Sequence, residues 1–196
     1  MECDWEVELG PDSPVIDASW DGYIDLRRMP GRISQISEAV QLSALHDALI
    51  RLNSSLSSVS TAKCDVWIPE SFDHDELDAS PDAAAFGLAG YIDLIPMDAH
   101  VAAALDAVVD WCKRLCLCLR PQPLRCCRMD AIVRRAAITS EIDGFGVTIY
   151  VSACGPSPQE ASKALSVAIT ALTDAVMAVG ASSQPASKYN RSTKGE

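Results

Sequence analysis

Residues Glu2 to Leu9 alternate, with Trp5, Val7 and Leu9 on one side and Asp4, Glu6 and Glu8 on the other. That two-residue period predicts a half-buried strand at a sheet edge. Gly10-Pro11-Asp12-Ser13-Pro14 breaks it, and Tyr23 to Leu26 is predicted as the next extended segment. From Ser34 the period changes: Leu42, Leu45, Leu49, Leu52 and Leu56 recur at helical steps, closed by the serines from Ser54 to Ser60. Lys63 to Ile68 reads as a strand stopped by Pro69, Glu70 to Asp82 as an acidic loop, and Phe86 to Ile95 as another strand. Asp98 is a candidate N-cap for a helix whose inner face is Val101, Leu105, Val108, Cys112, Leu115 and Leu119. Beyond Pro121 and Pro123, strands at Arg125 to Ile138 and Phe145 to Cys154 flank Asp143-Gly144 as a hairpin. Ser157-Pro158-Gln159-Glu160 supplies an N-cap serine, a proline at the first helical position and a reciprocal glutamate, with Gly180 as the stop.

Residues 21–29 read DGYIDLRRM, and residues 89–97 read AGYIDLIPM. Each phrase precedes a helix and then a strand, and those two later strands, Lys63 to Ile68 and Arg128 to Val133, match class for class. The pattern predicts a βαβ duplication: a ferredoxin-like antiparallel sheet of five to six strands with three helices on one face, extended by a C-terminal hairpin and helix. The two GYIDL strands become its central neighbours. Residues 1–180 form a single α+β domain in this reading, and 181–196 a disordered polar tail.

Strand alternation then sorts the side chains. Ile24, Leu26, Cys64, Val66, Ile68, Ile92, Leu94, Met129, Ala131 and Val133 turn toward the helices. Tyr23, Asp25, Lys63, Asp65, Trp67, Tyr91, Asp93, Arg128, Asp130, Ile132 and Arg134 turn toward a face that no helix covers. Four aspartates there, Asp25, Asp65, Asp93 and Asp130, suit a hard cation such as Mg²⁺. Cross-strand ion pairs worth about 0.2 to 1 kcal/mol each, with Lys63 and Arg128 as the bases, explain them without a metal. Tyr23, Trp67, Tyr91 and Ile132 make an exposed apolar strip of the kind that marks interfaces.

Composition narrows the partners. Among 196 residues, 16 bases face 27 acids, a net charge of −11, which opposes nucleic acid and anionic membrane surfaces. MECDWEVELG has acids where an export signal carries bases, and Val101 to Leu119 is interrupted by Asp106, Asp110, Lys113 and Arg114. A cytoplasmic location is the expectation. The acceptor patterns at Asn53 and Asn190 are chance matches in that setting. Cys112, Cys116, Cys118, Cys126 and Cys127 are spaced by four, two, eight and one residues, unlike paired CxxC knuckles, and read as buried thiols. His74 lies in the acidic run Asp73-His74-Asp75-Glu76, a contact or lid segment. No phosphate loop, serine elbow or zincin motif occurs, and no cofactor is implied. The expected function is non-enzymatic: an acidic binding domain that recognises itself or a basic protein, a toxin or nuclease for instance, through the open face and the acidic loop. The alternative is a Mg-dependent hydrolase or transferase using the face carboxylates.

Overall fold

In the computed structural model, which describes residues 2–10, 14–80, 84–140 and 142–182, the alternating and helical segments meet in one open sheet of six strands. The strands are β1 (Glu2–Val7), β2 (Ile16–Asp17), β3 (Val59–Trp67), β4 (Phe86–Pro96), β5 (Cys127–Thr139) and β6 (Ile142–Gly155). The sheet runs β1-β5-β6-β4-β3, with β2 beside the far end of β5. The molecule is an α+β protein and its sheet is mixed, because β1 and β2 run parallel to β5 while all other pairs are antiparallel. The N-terminal segment is an edge strand as predicted, but it is not half-buried through Trp5, Val7 and Leu9, which are exposed; only Cys3 enters the core. The predicted β5–β6 hairpin also forms, with Thr139 opposite Ile142, so the chain reverses before Asp143-Gly144.

The helices are α1 (Ser37–Gln41), α2 (Ser43–Leu52), α3 (Ala99–Ala103), α4 (Leu105–Leu119) and α5 (Pro158–Ser182), with a 3-10 turn at Pro30–Gln35. Both predicted leucine-rich helices are broken once. Leu42 and Ala104 take extended backbone angles, which splits each into a short and a long piece. Leu56 falls beyond α2 and is exposed, whereas Asp98 caps α3 as expected, accepting from the backbone of His100 and Val101. The long helices pack on one face of the sheet. Leu49 and Leu52 of α2, Val108, Leu115 and Leu119 of α4, and Leu165, Ile169, Leu172 and Val176 of α5 meet Ile92, Leu94, Met129, Val133, Val147 and Ile149. Each such side chain contributes about 1.5 to 3 kcal/mol by leaving water. The Ser157 hydroxyl accepts from the Glu160 backbone at 3.3 Å, as an N-cap does. The helix does not stop at Gly180; it runs on to Ser182, and Gly180 instead lets the helix pass close to Ser58, where a Cβ would collide. By length and composition α5 is also apolar enough to cross a bilayer, and half of that stretch is buried in the structure. Residues 183–196 of the expected tail lie outside the described residues.

The predicted duplication is not what the chain builds. Tyr23 to Leu26 is not a strand: the Asp25 carboxylate accepts from the backbone N–H groups of Arg27 and Arg28 at 3.0 and 3.2 Å, closing a local turn. Among the described residues the first half therefore supplies strands at the two sheet edges, β1 with β2 on one side and β3 on the other. In the second half, β4 and β5 run the same way with β6 between them, and the chain joins them through α3 and α4.

Candidate functional site

The face away from the helices is narrower than the sequence implies, since both its ends are covered. At one end Ile16 of β2 packs with Ile95 and Ala136. At the other, Leu77 of the acidic segment and Ala84 just after it pack with Cys154, with Phe72 beside them. What stays open is a central band whose composition is set by strand register.

Across that band Asp65 lies opposite Tyr91, Tyr91 opposite Tyr150, Tyr150 opposite Asp130, and Asp130 opposite Asp4. Trp67, 37% exposed, stands one row away. The rings form a continuous ladder: Trp67 to Tyr91 spans 6.3 Å between centroids at 56°, and Tyr91 to Tyr150 spans 5.8 Å at 48°. These tilted offsets are the favourable geometry for aromatic pairs. The Arg134 guanidinium ends the ladder, 5.6 Å from the Tyr150 centroid and donating to its hydroxyl at 3.1 Å. Burial and the neighbouring carboxylate of Asp93 push the Tyr91 phenol up to about 12.

Asp93 lies under this band, 3% exposed. Its carboxylate accepts from the Thr148 hydroxyl at 2.6 Å, and no base closes an ion pair with it among the described residues. Burial pushes it up to about 6, with Thr148, Lys63 and Arg134 pulling the other way. Several of the other acids are paired. Arg128 holds Asp130 in a forked contact at 2.9 and 3.0 Å and reaches Glu2 and Asp4, while Arg134 grips Glu8. These pairs staple the acidic β1 to β5. Asp65 does not pair with Lys63; it accepts from the backbone of Val66 at 2.7 Å, capping a donor on the exposed edge strand.

The predicted site is thus brought together in part. Asp65, Trp67, Tyr91, Asp93, Arg128 and Asp130 share the open face. Tyr23 and Asp25 do not, because their segment is a turn outside the sheet; burial, then the nearby Asp25, raises the Tyr23 phenol. Ile68 is exposed beyond the end of β3 and faces no helix. His74 packs edge-on against Phe72 at 5.2 Å, and its Nδ1 is buried without a partner among the described residues. Tyr150 and Thr148 carry no motif and are visible only once β6 is registered against β4.

The four aspartates do not converge. Asp25 caps its own turn, Asp130 is held by Arg128, and among the described residues no three His, Cys, Asp or Glu side chains are grouped to hold a metal ion. All eight cysteines are free. Cys3, Cys112 and Cys116 are buried together between β1 and α4, and the Cys116 Sγ lies 3.8 Å from the Asp4 carbonyl. Burial pushes Cys64 up to about 12 and Cys127 and Cys154 up to about 11, so these thiols stay protonated and pack as small hydrophobes. Asn53, inside an acceptor pattern, is 6% exposed with its amide fully engaged.

Fold and face together define an α+β protein with an open mixed sheet and an aromatic, acid-rimmed band upon it. The chain matches no protein-family model, no curated protein and no solved structure.

Proposed function

We propose that the protein is a non-enzymatic acidic binding domain that captures a basic protein segment on its open sheet face. The observation that carries this reading is the Trp67–Tyr91–Tyr150 ladder lying solvent-side among carboxylates. Aromatic faces attract ammonium and guanidinium groups, most strongly where acids stand nearby. Next to Tyr150 a cleft of about 390 Å³ is bordered by Asp4, Glu6, Glu76 and Asp130, with Ile132 and Arg128 in its wall. Glu76 brings the acidic loop to the same cleft, which joins the two parts of the predicted surface. Stacking two copies face to face would set these acids against their own images, so charge favours a basic partner over self-association. A basic toxin or nuclease is one concrete form of it. The free thiols suit a reducing, cytoplasmic setting. Of the expected ferredoxin-like arrangement, what supports the reading is the β4–α3–α4–β5 crossover around β6 alone.

Replacing Trp67 and Tyr91 together by alanine is expected to weaken partner capture at least about tenfold, while chemical denaturation shows little change for Trp67→Ala alone. The measurement is affinity capture by the wild-type and doubly substituted proteins, with identification of the retained chains and sedimentation analysis of each bait. Capture of a basic chain lost in the double variant supports the reading. Equal capture by both baits, or a wild-type dimer abolished by the substitutions, replaces it.

A further inference from the structure

A second concavity, beside the open band and bordered by the same Tyr91, lies where residues 20–38 pass the exposed edge of β3. Its volume is about 400 Å³, within the lower part of the range of small-molecule sites. The floor reaches the main core: Leu26 and Leu49 are 3% and 2% exposed, and Ile24, Ile36 and Cys64 pack against the same cluster. Water on such a floor finds few hydrogen-bond partners, so an apolar group of matching size displaces it favourably.

The rim carries one charge of each sign. Lys63 closes no ion pair among the described residues, and its ammonium lies 5.7 Å from the Trp20 ring. Glu38 likewise has no basic partner among them and accepts only from the Ser37 hydroxyl at 2.9 Å. Trp20 lies over Gly22, where any Cβ would collide with the indole, so the glycine lets the ring border the mouth. The outer wall is held by few bonds, chiefly the Arg27 guanidinium donating to the carbonyls of Ser57 and Val59 at 3.3 and 3.0 Å. A segment tethered this way opens at lower cost than the sheet.

We propose that this groove binds a free amino acid with a large apolar side chain. Its carboxylate meets Lys63, its ammonium meets Glu38, and its side chain lies on the Leu26–Leu49 floor. Both rim charges are then satisfied by a molecule of zero net charge. A simple carboxylate would sit beside Glu38 in the field of a protein of net charge −11, and a simple amine would leave Lys63 without a counter-ion. Tyr91 borders both this groove and the partner-binding ladder, but Lys63, Glu38 and the Leu26–Leu49 floor lie outside the ladder and Trp67 lies outside the groove, so variants at those positions test the two readings separately.

The test is calorimetric titration and thermal melting of the full chain with leucine, methionine and phenylalanine. 4-Methylpentanoate and 3-methylbutylamine serve as single-charge comparators. Saturable binding with one site per chain and a rise in Tm is expected for at least one of the amino acids. Lys63→Met and Glu38→Gln should each weaken it at least about tenfold, since each removes a charge-assisted contact. Ile24→Trp, which fills the groove, should abolish it with the circular dichroism spectrum intact, and Trp67→Ala should leave it unchanged. The proposal is overturned if none of the three amino acids binds up to about 10 mM, a ceiling set by weak small-ligand affinities. It is equally overturned if a comparator binds as tightly, or if the Lys63 and Glu38 variants bind like the wild type.

Discussion

Asp93→Asn is expected to stabilise the protein near neutral pH by about 3 kcal/mol, at one pKa unit per 1.36 kcal/mol. The carboxyl moves from 3.8 in the unfolded chain to about 6 in the fold, chiefly because it is buried. Between those values the folded form holds a proton that the unfolded form has released, so stability falls as pH rises. Below pH 4 both states are protonated and the group costs nothing. Above pH 6 both are ionised and the full penalty of a buried anion applies. An asparagine keeps an oxygen for the Thr148 hydroxyl and removes the charge, so the gain should appear across that window and level off above it. Urea denaturation of both proteins at pH 4, 5, 6 and 7 measures this; a stability difference that is the same at every pH would show that Asp93 titrates normally. A carboxylate held at such a cost beneath a half-exposed aromatic band keeps a negative field there, which supports the proposed capture of a basic partner.

Asn53→Ala is expected to cost about 3 kcal/mol, from a broken buried network. The Asn53 Nδ2 donates to the Leu49 carbonyl and the Thr61 hydroxyl at 2.8 Å each, and its Oδ1 accepts from the Thr61 backbone at 3.1 Å. One side chain therefore closes the C-terminus of α2 and fixes the start of β3. Alanine leaves the Thr61 N–H and hydroxyl, both buried, without these partners. Asn53→Asp should be at least as damaging, because it keeps the acceptor but loses both donors and buries a charge. Chemical denaturation supplies the number, and a loss below about 1 kcal/mol, the worth of a single ordinary hydrogen bond, would mean that water replaces the amide at little cost.

The two GYIDL phrases show how far local sequence reaches. At 90–94 the phrase is a strand: Gly90 lies so close to the Asp65 carbonyl of β3 that a Cβ would stand 2.7 Å from it, Ile92 and Leu94 enter the core, and Tyr91 and Asp93 face away. At 22–26 the same five residues are irregular and lead into a turn at Leu26 to Arg28, which Asp25 closes by accepting from Arg27 and Arg28. The difference lies in the next residues along the chain and in the strands alongside. After the first phrase the backbone N–H groups of Arg27 and Arg28 turn to Asp25, whereas Ile95 and Pro96 continue the second strand along β3. A pentapeptide states which side chains are apolar; it does not state which backbone will pair with it.

Patterns that depend only on spacing along one element were legible. Alternation in Glu2 to Leu9 produced an edge strand, helical leucine spacing produced α2, and Asp98 and Ser157 cap the helices that begin after them. Most of the core was legible too, because period two and period three-to-four fix which side chains share a face. Partner choice between strands, the parallel course of β1, and the covering of the open face by Ile16 and Leu77 came only with tertiary structure. These join residues far apart in the chain, and their energy depends on packing that no local pattern encodes. The ladder of Trp67, Tyr91 and Tyr150 belongs to the second kind: each ring was present in the sequence, but only strand register sets them side by side.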